Sequence, residues 1–225
     1  MKYSRKVWNK LRSQKTGNKT GETSLGTPVR KMLKIVLLGN DDPARHAAEA
    51  FIKSIYTARY GARLGTFPSR IIALLDDRDE ILCAAGLRFG DDGFFSERYL
   101  DIPIEDAVSA ISARTVDRSA IFEVTTLASR APLATAEFIA EIGSFGERAG
   151  FEWSSFTLTH RLHLMVRRLG ITLTYLGEAD RRRIADSERW GTYYACQPKV
   201  YAVANRRMTN SSDCAEGAER YAAAV

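Results

Sequence analysis

The chain has 225 residues, 45% of them hydrophobic and 27% charged, the balance of a globular protein with one core domain plus tails. No apolar run approaches the ~20 residues that cross a bilayer. The basic first residues lack an apolar h-region, so neither a span nor a secretory signal is expected, and a cytoplasmic location is. The net charge of +6 belongs to one end: residues 1–31 hold nine of the 33 basic residues and a single acid, which leaves 24 basic and 26 acidic residues elsewhere.

Residues 1–31, with a Gly/Thr/Ser-rich stretch from Gly17 to Thr27, read as a basic, disordered tail. Its charge suits weak contact with an anionic surface. Val7, Trp8 and Leu11 offer too little apolar area for membrane anchoring. The folded domain is expected over 32–204 and a flexible tail over 205–225.

Leu33 to Leu38 reads as a buried strand. Asp42-Pro43 predicts a helix N-cap with proline at the first helical position, and Ala44, Ala47, Ala48, Phe51, Ile52 and Ile55 form one helical face. Arg70–Leu75 and Ile81–Phe89 predict a hairpin around the polar turn Asp76 to Asp79. Pro103 opens a short helix carrying Ile104, Ala107, Val108 and Ile111. Ile121 to Ala128 is a strand. Pro132 opens a helix with Leu133, Ala136, Ile139, Ile142 and Phe145 inward, closed by Gly150. Trp153 to Leu158 is a strand. Thr159 is expected to cap a helix with Leu162, Met165, Val166 and Leu169 inward. Ile171 to Leu176 is a strand, Glu178 to Arg189 a short surface helix, and Val200 to Ala204 the last strand. Hairpins mixed with helical crossovers imply an α/β fold: a mixed, mostly antiparallel central sheet with helices on both faces.

Cys83, Cys196 and Cys214 form no C-x-x-C pair and are odd in number, which fits free thiols in a reducing compartment. His160 and His163 have no third ligand nearby, so no metal is assigned. There is no P-loop, no G-x-S-x-G and no dinucleotide fingerprint.

The element order resembles the GNAT acyltransferase superfamily, and Leu164 to Ile171 is similar to the end of that superfamily's last long helix. Closer still is a resemblance to the thermostable hemolysin family. It rests on Ala84-Ala85-Gly86-Leu87-Arg88, Glu97 to Glu105, Glu123-Val124 with Leu127-Ala128, Phe156 to Thr159, Arg168 to Ile171, Ala179-Asp180, and Trp190 to Tyr194 with Pro198 and Val200. The family also resembles acyl-homoserine-lactone synthases, in which a Gly/Ala-rich strand ending in arginine is followed by an acid-bearing strand.

The resemblance implies transfer of an acyl group from a thioester to a small amine or amino-acid-like acceptor, with no tightly bound cofactor. The thioester pantetheine would belong to acyl-CoA or to an acyl carrier protein. Glu123 is the candidate general base and Arg88 the candidate anion clamp. Val124, Thr125, Thr126, Leu127 and Ala128 would line the acyl-donor slot, with Arg130 before a helix N-terminus. CoA-binding members usually show Gln/Arg-x-x-Gly-x-Gly/Ala there. This chain has Arg130-Ala131-Pro132-Leu133-Ala134-Thr135, so a carrier-protein donor stands beside CoA. The superfamily's tyrosine acid is replaced by Val166, and Thr157, Tyr175, Tyr193 and Tyr194 are the acceptor-side or acid candidates. The alternatives are a membrane-active hemolysin-type protein and a ligand-binding domain without catalysis. Oligomeric state is open.

Overall fold

The computed structural model describes residues 33–205, so the readings made for 1–31 and for nearly all of 205–225 lie outside the described residues. Among the described residues there are seven strands and four helices: β1 Lys34–Leu38, α1 Arg45–Tyr60, β2 Arg70–Leu75, β3 Ile81–Phe89, α2 Ile104–Ser112, β4 Ile121–Ser129, α3 Pro132–Ala149, β5 Trp153–Leu158, α4 His160–Arg168, β6 Thr174–Glu178 and β7 Lys199–Ala204. They build one sheet in the order β1-β2-β3-β4-β5-β7-β6. Every neighbouring pair is antiparallel except β4–β5, which is parallel. This is the expected mixed, mostly antiparallel GNAT-like sheet.

Alternation along the strands sends their side chains to two cores. On one face Ala48, Ile52 and Tyr56 of α1 pack on Ile71, Ala73, Ala84 and Ala128, and the apolar side of α2 packs on Ile121 and Trp153. On the other, α3 and α4 bring Ile139 and Val166 onto Leu158 and Tyr201, while Phe145 of α3 meets the ring of Phe122. The hairpin turn forms as expected, with Asp76 Oδ1 accepting the N–H groups of Arg78 and Glu80.

Several local expectations are corrected. α1 begins at Arg45, and Asp42 instead closes the preceding turn by accepting the Ala44 N–H. Ile139, Ile142 and Phe145 of α3 are buried as expected, but Leu133 is 92% exposed and Ala136 half-buried, and Ala134, Thr135 and Phe138 complete the inward side. Leu169 ends α4 in solvent. Thr159 sits at the N-cap of α4, but its hydroxyl makes no capping bond. The sixth strand starts at Thr174 rather than Ile171. The stretch 178–189 is not a helix: Asp180 accepts the Arg182 N–H and starts a single 3₁₀ turn over Arg181–Arg183, and further 3₁₀ turns follow at Ser187–Trp190 and Tyr193–Cys196.

The loop between β3 and α2 is fixed by charge. Glu97 accepts from the Arg118 guanidinium and from the N–H of Ile104 at the start of α2, and Arg118 also pairs with Glu105. The guanidinium lies 4.4 Å from the ring centroid of Phe94. Arg183 bonds the carbonyls of Arg98 and Leu100 and the Asp101 carboxylate. Beyond β7, Asn205 is buried, and its amide donates to the Phe151 carbonyl.

Candidate active site

The sheet opens at its centre. β4 and β5 pair from Ile121↔Trp153 to Val124↔Phe156 and no further, although both strands continue. The cause is a bulge in β4. Ala84 faces Ala128 while Gly86 faces Thr125, so β4 carries one residue more than β3 over that span. Thr126 takes it up with a left-handed φ of 49°, a costly conformation for a β-branched residue. A bulge bends its strand, and β4 leaves β5, which keeps its pairing to β7 as far as Leu158↔Lys199. Gly86 makes room for this geometry: a Cβ there would lie 2.6 Å from both Pro68 Cγ and the hydroxyl of Thr125.

Two cavities, of about 220 and 440 Å³, meet at the opening. Tyr56, Val124, Thr126, Thr157 and Tyr193 line both.

The first cavity contains Glu123, which is 1% exposed. Its Oε2 accepts the N–H of Phe95 at 2.6 Å and its Oε1 that of Ser96 at 2.8 Å. Burial pushes the carboxyl pKa up; the N–H groups of Phe95 and Ser96 and the charge of Arg88 oppose the shift without cancelling it. Each oxygen keeps a second lone pair. Arg88 is the direct cross-strand partner of Glu123. Its Nη1 reaches the Asp92 and Gly93 carbonyls only at 3.4 Å, and its buried Nε has no hydrogen-bond partner among the described residues.

Three more arginines reach the same cavity: Arg63, Arg98 and Arg189. None of the four forms an ion pair among the described residues. The acids lining that cavity are Glu123 and Asp186. Arg98 lies 4.9 Å from the Phe95 ring centroid. An aromatic wall completes the cavity: Trp190 contacts Phe95, Tyr56 and Tyr193, and Tyr56 stacks on Tyr193.

The second cavity has an apolar side formed by Leu127, Phe156, Leu158, Leu162 and Met165. Its rim carries Arg59, Arg130 and Arg161, together with Pro132 at the start of α3. Arg130 pairs with Glu80 at 3.1 Å and lies against Phe51. Below it, Ser129 accepts from the Thr135 hydroxyl at 2.7 Å and from the buried Cys83 thiol.

The structure therefore brings Glu123, Arg88, Val124, Thr125, Thr126 and Thr157 to one place and puts Leu127 and Arg130 beside it. Ala128 lies under α1, in the core on the α1 side. Tyr193 lines both cavities, and burial raises its phenol well above the ordinary tyrosine value, so it stays protonated. Tyr194 hydrogen-bonds Tyr99 at 2.8 Å and packs beside the wall. Tyr175 is on β6, bonded to Glu178, and lines neither cavity. The residues that sequence reasoning missed are Arg63, Arg98, Arg189, Tyr56 and Tyr99. They converge from separate loops and a helix, and no local spacing marks them. No helix among the described residues is long and apolar enough to cross a membrane.

Solved structures share this architecture. The acyl-homoserine-lactone synthase LasI aligns with a TM-score of 0.54 at 8% identity, over 78% of this chain and 91% of that one. FeeM, an N-acyl amino acid synthase from uncultured soil microbes, aligns with a TM-score of 0.54 at 13% identity, over 82% and 96%. TofI, solved in a ternary complex with an inhibitor and MTA, aligns at 0.50 and 15% identity, over 83% and 96%. At these identities the likeness establishes the fold alone. No curated protein matches the chain. The sequence profile of thermostable hemolysins matches residues 38–208, a span that takes in the opened sheet, both cavities and the wall from Trp190 to Tyr194, and the chain belongs to that family.

Proposed function

We propose that the protein transfers an acyl group from a thioester to the amine of a small, amino-acid-like acceptor. The observation that carries this reading is the parallel β4–β5 pairing that stops at Val124↔Phe156, with a buried carboxyl beside the gap and a cavity on either hand.

The larger cavity, apolar inside and basic at its rim, suits a pantetheine thioester of CoA or of an acyl carrier protein. Val124, Thr126 and Leu127 form its strand wall in this reading, and Arg130 meets the donor's phosphate. The smaller cavity suits the acceptor. Its four arginines outnumber its acids, so the acceptor carries an anionic group. Arg88 and its neighbours hold that anion, and the amine faces Glu123. A buried carboxyl with a raised pKa is a stronger base than an ordinary carboxylate. Glu123 orients the amine and takes its proton as nitrogen attacks the thioester carbon. Tyr193, held neutral, donates to the departing thiolate in this reading, with Thr157 as the other donor to be tested; Tyr175 and Tyr194 line neither cavity. The activity is assigned to residues 32–204, in the cytoplasm.

The test is thiol release from acyl thioesters of several lengths with amino acids and simple amines as acceptors, alongside mass spectrometry of ligand retained by the purified protein. Turnover is expected with an anionic amine, and deletion of residues 1–31 is expected to leave it intact. Absence of turnover with every thioester, or equal turnover with neutral and anionic amines, would sink the respective part of the proposal.

A further inference from the structure

Six buried side-chain polar atoms crowd this part of the sheet without a hydrogen-bond partner among the described residues: Arg88 Nε, Ser96 Oγ, Thr125 Oγ1, Thr126 Oγ1, Ser155 Oγ and Thr157 Oγ1. A buried hydroxyl without a partner is costly and asks for an explanation. Two of them have a special position. The side chains of Thr126 and Thr157 stand on the two sides of the β4–β5 gap, and both residues line both cavities. Thr125 lines only the smaller one. Thr126 is also the residue held at φ 49°, and strain of this kind collects where a side chain must be aimed.

The atoms that must lie where the two cavities meet are those of the reacting carbonyl, since donor and acceptor come from different sides. We infer that the hydroxyls of Thr126 and Thr157 donate to the thioester carbonyl oxygen and form its oxyanion site. This assignment rests on the acyl-transfer reading above. As the amine nitrogen bonds to the carbonyl carbon, the C=O π pair moves onto oxygen, and the two O–H groups stabilise that charge. Collapse re-forms C=O and expels sulfur with the C–S pair as thiolate. One amine proton passes to Glu123 and one proton reaches the thiolate, so the products are an amide and a free thiol.

The experiment uses the full chain and an acyl thioester that it turns over, with Thr126→Val, Thr157→Val and the two corresponding serine variants. Valine keeps the shape and removes only the hydroxyl. Each valine variant is expected to lower kcat by about 10- to 1,000-fold, with KM for donor and acceptor within about twofold and a Tm equal to or above wild type. Serine is expected to restore most of the rate. A structural hydroxyl would lower Tm instead of kcat, and that result overturns the assignment, as does an unchanged kcat in both valine variants or a serine variant as slow as valine. No turnover by the wild-type chain overturns the acyl-transfer reading and this assignment with it; normal turnover by wild type and both valine variants overturns this assignment alone.

Discussion

The carbonyl oxygen of Tyr60 occupies the space where a side chain at Gly191 would begin: a Cβ there would lie 2.0 Å from it. Gly191 also has φ 56°, and the next residue, Thr192, donates its N–H to the same Tyr60 oxygen. Together with the bond from Arg63 N–H to the Arg189 carbonyl, this fastens the 3₁₀ turns after β6 to the end of α1. Those turns supply Arg189, Trp190 and Tyr193 to the smaller cavity. Gly191→Ala is therefore expected to cost about 3 kcal/mol or more, from a backbone clash added to left-handed strain. Urea unfolding measures the loss, and a shift in Trp190 fluorescence at low denaturant would show the wall detaching before the core unfolds. A variant as stable as wild type would refute the close contact.

Glu123→Gln places an amide NH₂ against one of two N–H donors, so it loses a hydrogen bond as well as a base. It is expected to reduce kcat by about 10²- to 10⁴-fold. The proposed reaction needs the carboxylate, and burial raises its pKa. The rate of the wild-type enzyme should therefore rise with pH through a value above the usual carboxylate range. Stability runs the other way. Between the ordinary and the raised value the native state holds the Glu123 proton more tightly than the unfolded chain does, so stability falls as pH increases through that window. Chemical unfolding of wild type and Glu123→Gln across that window should show a flatter slope in the variant.

Arg118→Met is expected to destabilise the fold by about 2 kcal/mol, because it leaves Glu97 and Glu105 without their shared cation while Glu97 still meets the α2 N-terminus. The hydrogen bond from Arg118 holds the Glu97 carboxyl below the usual range. A lowered carboxyl pKa gives stability that is complete above the unfolded value and is lost as pH falls through the native one. Acid titration of unfolding should show that loss in wild type and a weaker one in Arg118→Met.

Arg189→Met removes one of the cavity's cations at an exposed rim position. KM for an anionic acceptor is expected to rise about tenfold, as for the loss of one charge-assisted hydrogen bond, with KM for the thioester unchanged. Steady-state kinetics with each substrate varied in turn decide this. Equal changes in both constants would mean that Arg189 serves the fold rather than the acceptor.

Strand and helix placement was legible in the sequence because apolar periodicity and Pro/Gly punctuation agree for most elements; the pairing partner of β5 was not, and no residue pattern sets the point where its ladder with β4 ends. Those depend on a one-residue bulge, and nothing at Thr125-Thr126 announces a left-handed turn in a pair of β-branched residues. Glu123 could be picked out as an acid inside an apolar strand, but its two N–H partners come from residues 95 and 96, across a loop. The charged run 178–189 looked helical by composition. Asp180 takes the Arg182 N–H within its 3₁₀ turn, and Arg183 is drawn away to Arg98, Leu100 and Asp101, so no helical repeat is established. The Glu97–Glu105 and Trp190–Tyr194 stretches, matched as family features, turn out to hold the two walls of the smaller cavity in place.

The two cavities draw on partly different pieces of chain. The smaller takes its arginines from residues 63, 88, 98 and 189, and the larger takes its lining from the ends of β4 and β5, from α3 and α4, from the end of α1 and from residues 192–196. Five residues are common to both. What the protein accepts on one side can thus diverge between relatives through changes in surface loops, while the opposite side is inherited unaltered. Only substitutions at the shared positions must suit both partners at once.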